Sequence, residues 1–207
     1  MKDKAKISKL DPKNIVEEER HILLKELHPL TEGAFEHHIT DEDMYNHAFE
    51  EDYMFLAIEN DKIIGYTAGK IIDGRINYIS AVIVSPECQT EGLGKILINH
   101  AIDFMPLNLL ESQTQNPVLY VSLSNVARSR NYNVFPNSNG NVIEKGLLED
   151  LKQVFSVTDS GLINAGVYGR QLCPHSVNLE GKGKVAELFN ALDFDKGDAY
   201  LIVCEKS

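Results

Sequence analysis

Ala81-Val82-Ile83-Val84-Ser85-Pro86-Glu87-Cys88-Gln89-Thr90-Glu91-Gly92-Leu93-Gly94-Lys95-Ile96-Leu97 reads as three pieces. The first is an apolar, largely β-branched run of the kind a buried strand uses. Pro86 and the polar residues up to Glu91 break it. Gly92 and Gly94 then open the pattern Ile96, Leu97, His100, Ala101 and Phe104, whose spacing is helical and which Pro106 ends. Glycines at a strand-to-helix turn let backbone N–H groups approach an anion, and the positive helix end adds to the attraction. Helix-entry glycines are also common for structural reasons alone. A P-loop would need Gly-Lys-Ser/Thr after four intervening residues. A dinucleotide fingerprint would need a third Gly and a later acidic residue in a parallel unit.

Upstream, Met54 to Ile58, a turn at Asn60-Asp61, and Ile63 to Gly69 predict an antiparallel hairpin, and Asp73-Gly74 turns the chain into Ile76 to Val84. Three strands therefore meander into the loop. Before them, His21 to Leu27 is read as an edge strand. Two short helical patterns follow from Thr31, the second from Asp41. Downstream of a polar stretch rich in Gln and Asn, Val118 to Leu123 is read as a strand with a helix beginning at Asn125. Helical patterns at Leu147 to Phe155 and Val185 to Leu192 flank a Gly-containing segment reaching Asn178, and Ala199 to Cys204 reads as the closing strand.

With 207 residues, 43% of them hydrophobic and 25% charged, one sizeable core is expected, and an ordered chain rather than a disordered one. Residues 1–20, with five lysines up to Lys13, are read as an N-terminal arm, and 21–207 as a single domain with an atypical part at about 136–180. The net charge of −11 argues against nucleic acid as a partner. No apolar run reaches membrane-spanning length and no signal-type segment is seen, so no membrane partner and a cytoplasmic location are expected. Cys88, Cys173 and Cys204 are odd in number and lack metal-ligand spacing, and the histidines are scattered, so no metal is expected. Asp41, Glu42, Asp43, Glu50, Glu51, Asp52, Glu59 and Asp61 form an acidic run without Lys or Arg. A solvated helix face explains it, since Thr40 and Asp43 have capping-box-like spacing. An entrance that attracts a cationic partner would also explain it.

The stretch from Ala81 to Leu97 resembles motif A of the GNAT superfamily, whose core is Gln/Arg-x-x-Gly-x-Gly/Ala after a strand ending near a Pro. The resemblance covers about Tyr53 to Phe104 and extends loosely to Phe135. It implies an α/β fold of the α+β type, with a mixed, mostly antiparallel central sheet splayed at the CoA site and flanked by helices. It implies acetyl-CoA as co-substrate. Backbone groups of Val82, Ile83 and Val84 would meet the pantetheine arm, and Gln89, Thr90, Glu91, Gly92, Leu93, Gly94 and Lys95 would hold the pyrophosphate. The N–H mapping most nearly onto Val82 would polarise the acyl carbonyl, and one such donor is worth roughly 3 to 4 kcal/mol in comparable oxyanion holes.

An aliphatic ammonium at pH 7 must give up a proton before attack, at a cost of about 4.6 kcal/mol. Relatives often place Glu or His on the fourth strand for this; here those places hold Tyr78 and Ser80, which departs from the pattern and favours a water relay lined by the two. A Tyr on the helix after the fifth strand often protonates the leaving thiolate, in the pattern Asn-x-x-Ala-x-x-x-Tyr. Asn125 and Tyr132 have that separation, with Arg128 at the usual small position, and the resemblance gives Asn125 to CoA and Tyr132 to the proton. The segment Val185 to Phe194 competes for the same motif but offers Phe189 in place of the hydroxyl.

What the resemblance implies is transfer of an acetyl group from acetyl-CoA to a primary amine, for which the acidic run favours a small cationic molecule. A protein Lys or N-terminus is the alternative acceptor, a catalytically silent acyl-CoA-binding module the alternative function, and a homodimer is open.

Overall fold

The computed structural model describes residues 5–35, 37–137, 143–158, 162–172 and 183–207. Met1 to Lys4 and the end of the Gly-containing segment, Cys173 to Asn178 with His175, therefore lie outside the described residues. Along the chain the elements are β1 (Lys6–Leu10), α1 (Glu17–Phe35), α2 (Asp41–Phe49), β2 (Tyr53–Glu59), β3 (Lys62–Ile72), β4 (Ile76–Val84), α3 (Leu93–Phe104), β5 (Leu109–Thr114), α4 (Pro117–Arg128), β6 (Tyr132–Phe135), α5 (Lys145–Val154), β7 (Ile163–Asn164), α6 (Lys184–Phe189) and β8 (Ala199–Lys206). Contacts divide them into two compact units, residues 1–110 and 111–207.

In the first unit β1 to β4 form an antiparallel meander in chain order. Its turns follow from the sequence: Asn60 and Asp61, then Asp73 and Gly74, all take positive φ, as tight hairpin turns of this kind require. Alternation then sorts the side chains. Met54, Leu56, Tyr66 and Ala68 join Leu27 of α1 and Met44, Ala48 and Phe49 of α2 in one core cluster. Phe55 instead meets His100 and Phe104 of α3. Gly65 is needed there, because a Cβ would come 2.8 Å from the Ile83 carbonyl and 3.4 Å from Leu93 and Leu97.

Strand β4 changes phase partway along. Asn77 reaches α3, and so do Val82 and Val84, which lie 3.9 and 3.8 Å from where a Gly94 Cβ would stand. Ala81 and Ile83 pack with the cluster of α1 and α2. The parity switches because Ala68 pairs with Ala81 while Gly69 pairs with Ile79, leaving Ser80 as the extra residue of a β-bulge.

The basic N-terminal segment is in part β1, paired to β2. His21 to Leu27, expected as an edge strand, lies within α1. Three glutamates occupy the first turn of α1, where the helix dipole favours them, and Leu23, Leu24, Leu27, Leu30 and Ala34 line its inner face. Pro29 sits inside that helix and disguises it in the sequence. The second helical pattern holds: α2 starts at Asp41, and the Thr40 hydroxyl accepts from the Asp43 N–H at 3.1 Å.

In the second unit the strand order is β5, β8, β6, with β7 also on β8, and both β6 and β7 run antiparallel to β8. Two expectations are corrected here. The polar stretch contains β5, and Val118 to Leu123 is not a strand but half of α4. Asn116 caps α4, its Oδ1 accepting from Val118 N–H at 2.8 Å, and Pro117 takes the first helical position. Tyr120, Leu123, Ser124 and Ala127 then bury one face at helical spacing. The later helices and closing strand fall where expected, at α5, α6 and β8. Buried Gln115 ties segment 162–172 down: its amide donates to Arg170 O at 3.3 Å and Asp198 O at 3.0 Å, and its Oε1 accepts from Leu172 N–H at 2.7 Å.

Candidate active site

The loop between β4 and α3 begins with a 3-10 turn, Pro86–Cys88, in which the Cys88 and Gln89 N–H groups bond back to Ser85 O. Thr90 then takes φ +74° and Gly92 φ +86°. Left-handed backbone is uncommon for a threonine, and such conformations concentrate where the chain is shaped around something else. Alternation of this kind turns successive N–H groups to one side, the arrangement that binds anions. At the start of α3, Lys95 and Ile96 N–H both go to Gly92 O. The amides of Leu93 and Gly94 have no acceptor within the helix, by the geometry of a helix start.

The two glycines serve different ends. A Cβ at Gly92 would meet nothing within 4 Å, so the loop is open there and the requirement is its φ. A Cβ at Gly94 would point into ordinary contact with Val82 and Val84, packing α3 onto β4. Gln89 does not stand free toward a ligand: its side-chain amide donates to Val84 O at 3.3 Å and fixes the strand exit. Glu87, Thr90, Glu91 and Lys95 are exposed around the loop.

Along β4, Tyr78 is half-buried with the Lys70 ammonium 5.7 Å from its ring centre. Ser80, the bulge residue, has its hydroxyl 3.1 Å from Ala68 O. Behind it lies a group that sequence spacing did not find. Glu51, between α2 and β2, is 5% exposed, and Ser80 is a hydrogen-bond partner of its carboxyl. Its Oε2 is buried without a partner. Desolvation raises the Glu51 pKa above the ordinary carboxylate range, against the lowering effects of Ser80 and Lys70. No sequence pattern links Glu51 to Ser80; only the β3–β4 register brings them together.

The acidic run has several fates. Asp52 accepts from Ile71 N–H at 2.7 Å and pairs with Lys13, and Asp41 lies 3.4 Å from His28 Nε2. Glu42, Asp43 and Glu50 are exposed.

In the second unit the expectation of a helix that begins at Asn125 and carries Tyr132 is corrected. Asn125 is exposed on the last turns of α4, whereas Tyr132 is in β6, paired with Lys206 and 3% exposed. The helix that follows β5 is α4, and its tyrosine is Tyr120, whose hydroxyl donates to Pro136 O at 2.7 Å. Burial raises the pKa of Tyr132. Phe189 of the competing segment is fully buried between Tyr120 and Tyr200, with ring centres 5.7 and 5.4 Å away. It is a core residue.

Among the described residues no group of three or more His, Cys, Asp or Glu side chains is placed to hold a metal ion, and no helix is long and apolar enough to cross a membrane. Residues 21–118 match the acetyltransferase (GNAT) family. No curated protein matches the chain. Among solved structures it is similar to the ribosomal-protein-S18-alanine N-acetyltransferase of Escherichia coli, at 13% identity over 98% of this chain and 95% of that one, with a TM-score of 0.52. It is similar to Ard1 of Thermoplasma volcanium at 9% identity over 98% of each chain, TM-score 0.52. It is also similar to a GNAT family acetyltransferase from Elizabethkingia anophelis with acetyl-CoA bound, at 14% identity over 99% of each chain, TM-score 0.51. At such identities the likeness is one of fold, the mixed and mostly antiparallel α/β fold expected.

Proposed function

We propose that this chain, an acetyltransferase of the GNAT family by its residues 21–118, moves an acetyl group from acetyl-CoA to the nitrogen of a small cationic primary amine. The observation that carries the co-substrate is the loop after β4. Positive φ at Thr90 and Gly92, open space at Gly92 and two helix-start amides without helical acceptors make a cradle for a pyrophosphate. One fold neighbour has acetyl-CoA bound. The Val82 to Val84 backbone would meet the pantetheine arm, and the Val82 N–H would polarise the acyl carbonyl. Tyr132 stays in this reading as proton donor to the departing thiolate, the role the family resemblance implies for it, and its phenol carries a proton at neutral pH.

Support for a cationic acceptor is narrower than the sequence suggests, since Asp52 and Asp41 have partners in the protein and Glu51 is buried. Glu42, Asp43 and Glu50 remain to attract a cation at low salt. Gly92→Asp places a charged side chain at φ +86° in the cradle, and calorimetry should show acetyl-CoA binding lost. Binding as tight as wild type would remove the loop assignment. CoA release across cationic, neutral and acidic amines at several salt concentrations tests the acceptor. A preference for acidic amines, or rates with the best cationic amine that ignore salt, would remove the cationic class and leave the acyltransfer reading standing.

A further inference from the structure

The backbone at Asp52 is stitched to β3: its N–H donates to Gly69 O at 2.9 Å and its Oδ2 accepts from Ile71 N–H at 2.7 Å. Opposite Gly69 to Ile71 run Asn77 to Ile79, and then comes the bulge at Ser80. Glu51 is thereby held against Ser80. A bulge turns one side chain out of the regular alternation, and here that side chain is a hydroxyl two residues before Val82. The hydroxyl has one proton and two acceptors in reach, Ala68 O at 3.1 Å and the Glu51 carboxyl. Ser80 is half-buried, Glu51 lies behind it, and Glu51 Oε2 has no hydrogen-bond partner. A buried carboxyl left half-satisfied costs stability, and such groups are typical of strained or catalytic positions.

From this geometry we propose that Ser80 and Glu51 form a proton relay for the acceptor amine. The assignment rests on the reading of the chain as an N-acetyltransferase. The substrate ammonium passes a proton to Ser80 Oγ as the Ser80 proton moves to the Glu51 carboxylate, which leaves a neutral amine. Its nitrogen forms the C–N bond to the acetyl carbon while the C–S bond breaks. The second N–H proton balances the one that the departing thiolate takes up to become the CoA thiol, and Glu51 releases its proton to solvent. One ammonium and one acetyl thioester become one amide, one thiol and one proton. The charged groups around Glu51 are Lys70 on β3, Asp52, and Lys13 ahead of α1; His47 of α2 also has Lys70 as a neighbour. Burial raises the Glu51 pKa and the two lysines oppose it, so activity rises with pH as this carboxyl ionises.

The test compares wild type, Glu51→Gln and Ser80→Ala with two amines, one alkyl amine that is protonated at pH 7 and one weakly basic amine that is already neutral. For the alkyl amine both variants should lose about 100-fold or more in kcat/KM at pH 7. For the neutral amine both should stay close to wild type, and acetyl-CoA affinity by calorimetry should not change. Glu51→Gln should also lose the carboxyl limb of the pH profile. Wild-type rates for the alkyl amine in either variant, or equal losses for both amines, overturn the relay while the acyltransfer reading stands. If Glu51→Gln does not fold, Ser80→Ala alone decides, and a wild-type profile there overturns the relay. If wild type releases no CoA with any amine, the acyltransfer reading falls and takes the relay with it.

Discussion

The Tyr53 hydroxyl donates to Asn77 Oδ1 at 2.7 Å, and Asn77 in turn caps the last turn of α3, its Nδ2 donating to Ala101 O at 3.1 Å and Met105 O at 3.0 Å. Both side chains are buried, at 0% and 1% exposure, so each polar atom depends on the other for satisfaction. Removing the hydroxyl with Tyr53→Phe leaves Asn77 Oδ1 without this donor and should cost about 1 to 3 kcal/mol. Asn77→Ala should cost more, because the Tyr53 hydroxyl and Met105 O lose this partner and Ala101 O keeps only the Met105 N–H at 3.4 Å. Urea unfolding with constant m measures each, and a smaller effect for Asn77→Ala than for Tyr53→Phe would refute the chain of dependence.

Gly92 and Gly94 should separate in the laboratory as they do in the fold. At Gly92 any Cβ must sit at φ +86°, so Gly92→Ala should lose about 1 to 2 kcal/mol of stability. At Gly94 the Cβ would meet Val82 and Val84 at ordinary contact distance, within a helix. Gly94→Ala should leave stability unchanged or gain about 0.5 to 1 kcal/mol. Thermal unfolding of the two variants should give shifts of opposite sign or clearly different size.

Glu111 on β5 is fully buried with neither carboxyl oxygen hydrogen-bonded, and desolvation pushes its pKa up to about 8 from an ordinary 4.5. The folded state therefore holds this proton where the unfolded chain has lost it. Its contribution is fully present below pH 4.5 and is lost as pH rises through 8, at about 1.4 kcal/mol per pH unit between the two. Glu111→Gln should flatten that part of the stability profile. Unfolding free energies measured from pH 5 to 8 check it, and parallel profiles for the two proteins would contradict it.

Tyr132→Phe should lower kcat about 100-fold while acetyl-CoA affinity stays the same, if the phenol supplies the thiolate's proton. Tyr120→Phe should act on stability instead, because that hydroxyl is committed to Pro136 O. Steady-state kinetics beside calorimetry distinguish the two tyrosines, and an unchanged kcat for Tyr132→Phe would end its role as donor.

Much of the first unit was legible because its signals are local. Asn60-Asp61 and Asp73-Gly74 mark tight turns, apolar runs fill the strands between them, and the two glycines follow one strand into one helix. Helix α1 was obscured by Pro29, which leaves the seven residues His21 to Leu27 looking like a strand although the apolar spacing over 19 residues is helical. In the second unit β5 carries Glu111, Ser112 and Thr114 as buried residues, so hydrophobic patterning passes it by. Missing that strand moved the next helix and placed Tyr132 on it. Asn116-Pro117, a cap followed by a first-turn proline, was the available correction. Glu51 left no trace of its partnership, because strand register and a bulge create it at a separation of 29 residues.

The Gln115 side chain sets a limit on how this molecule can be trimmed. Segment 162–172 looks dispensable as an insertion, yet three of its bonds or those of its neighbour end on one buried amide. Cutting the segment away would strip that amide of its Arg170 and Leu172 partners and leave a buried Oε1 without the Leu172 N–H. A shorter version of the protein would therefore need position 115 redesigned together with the excision, as a graft has to match the wound it closes.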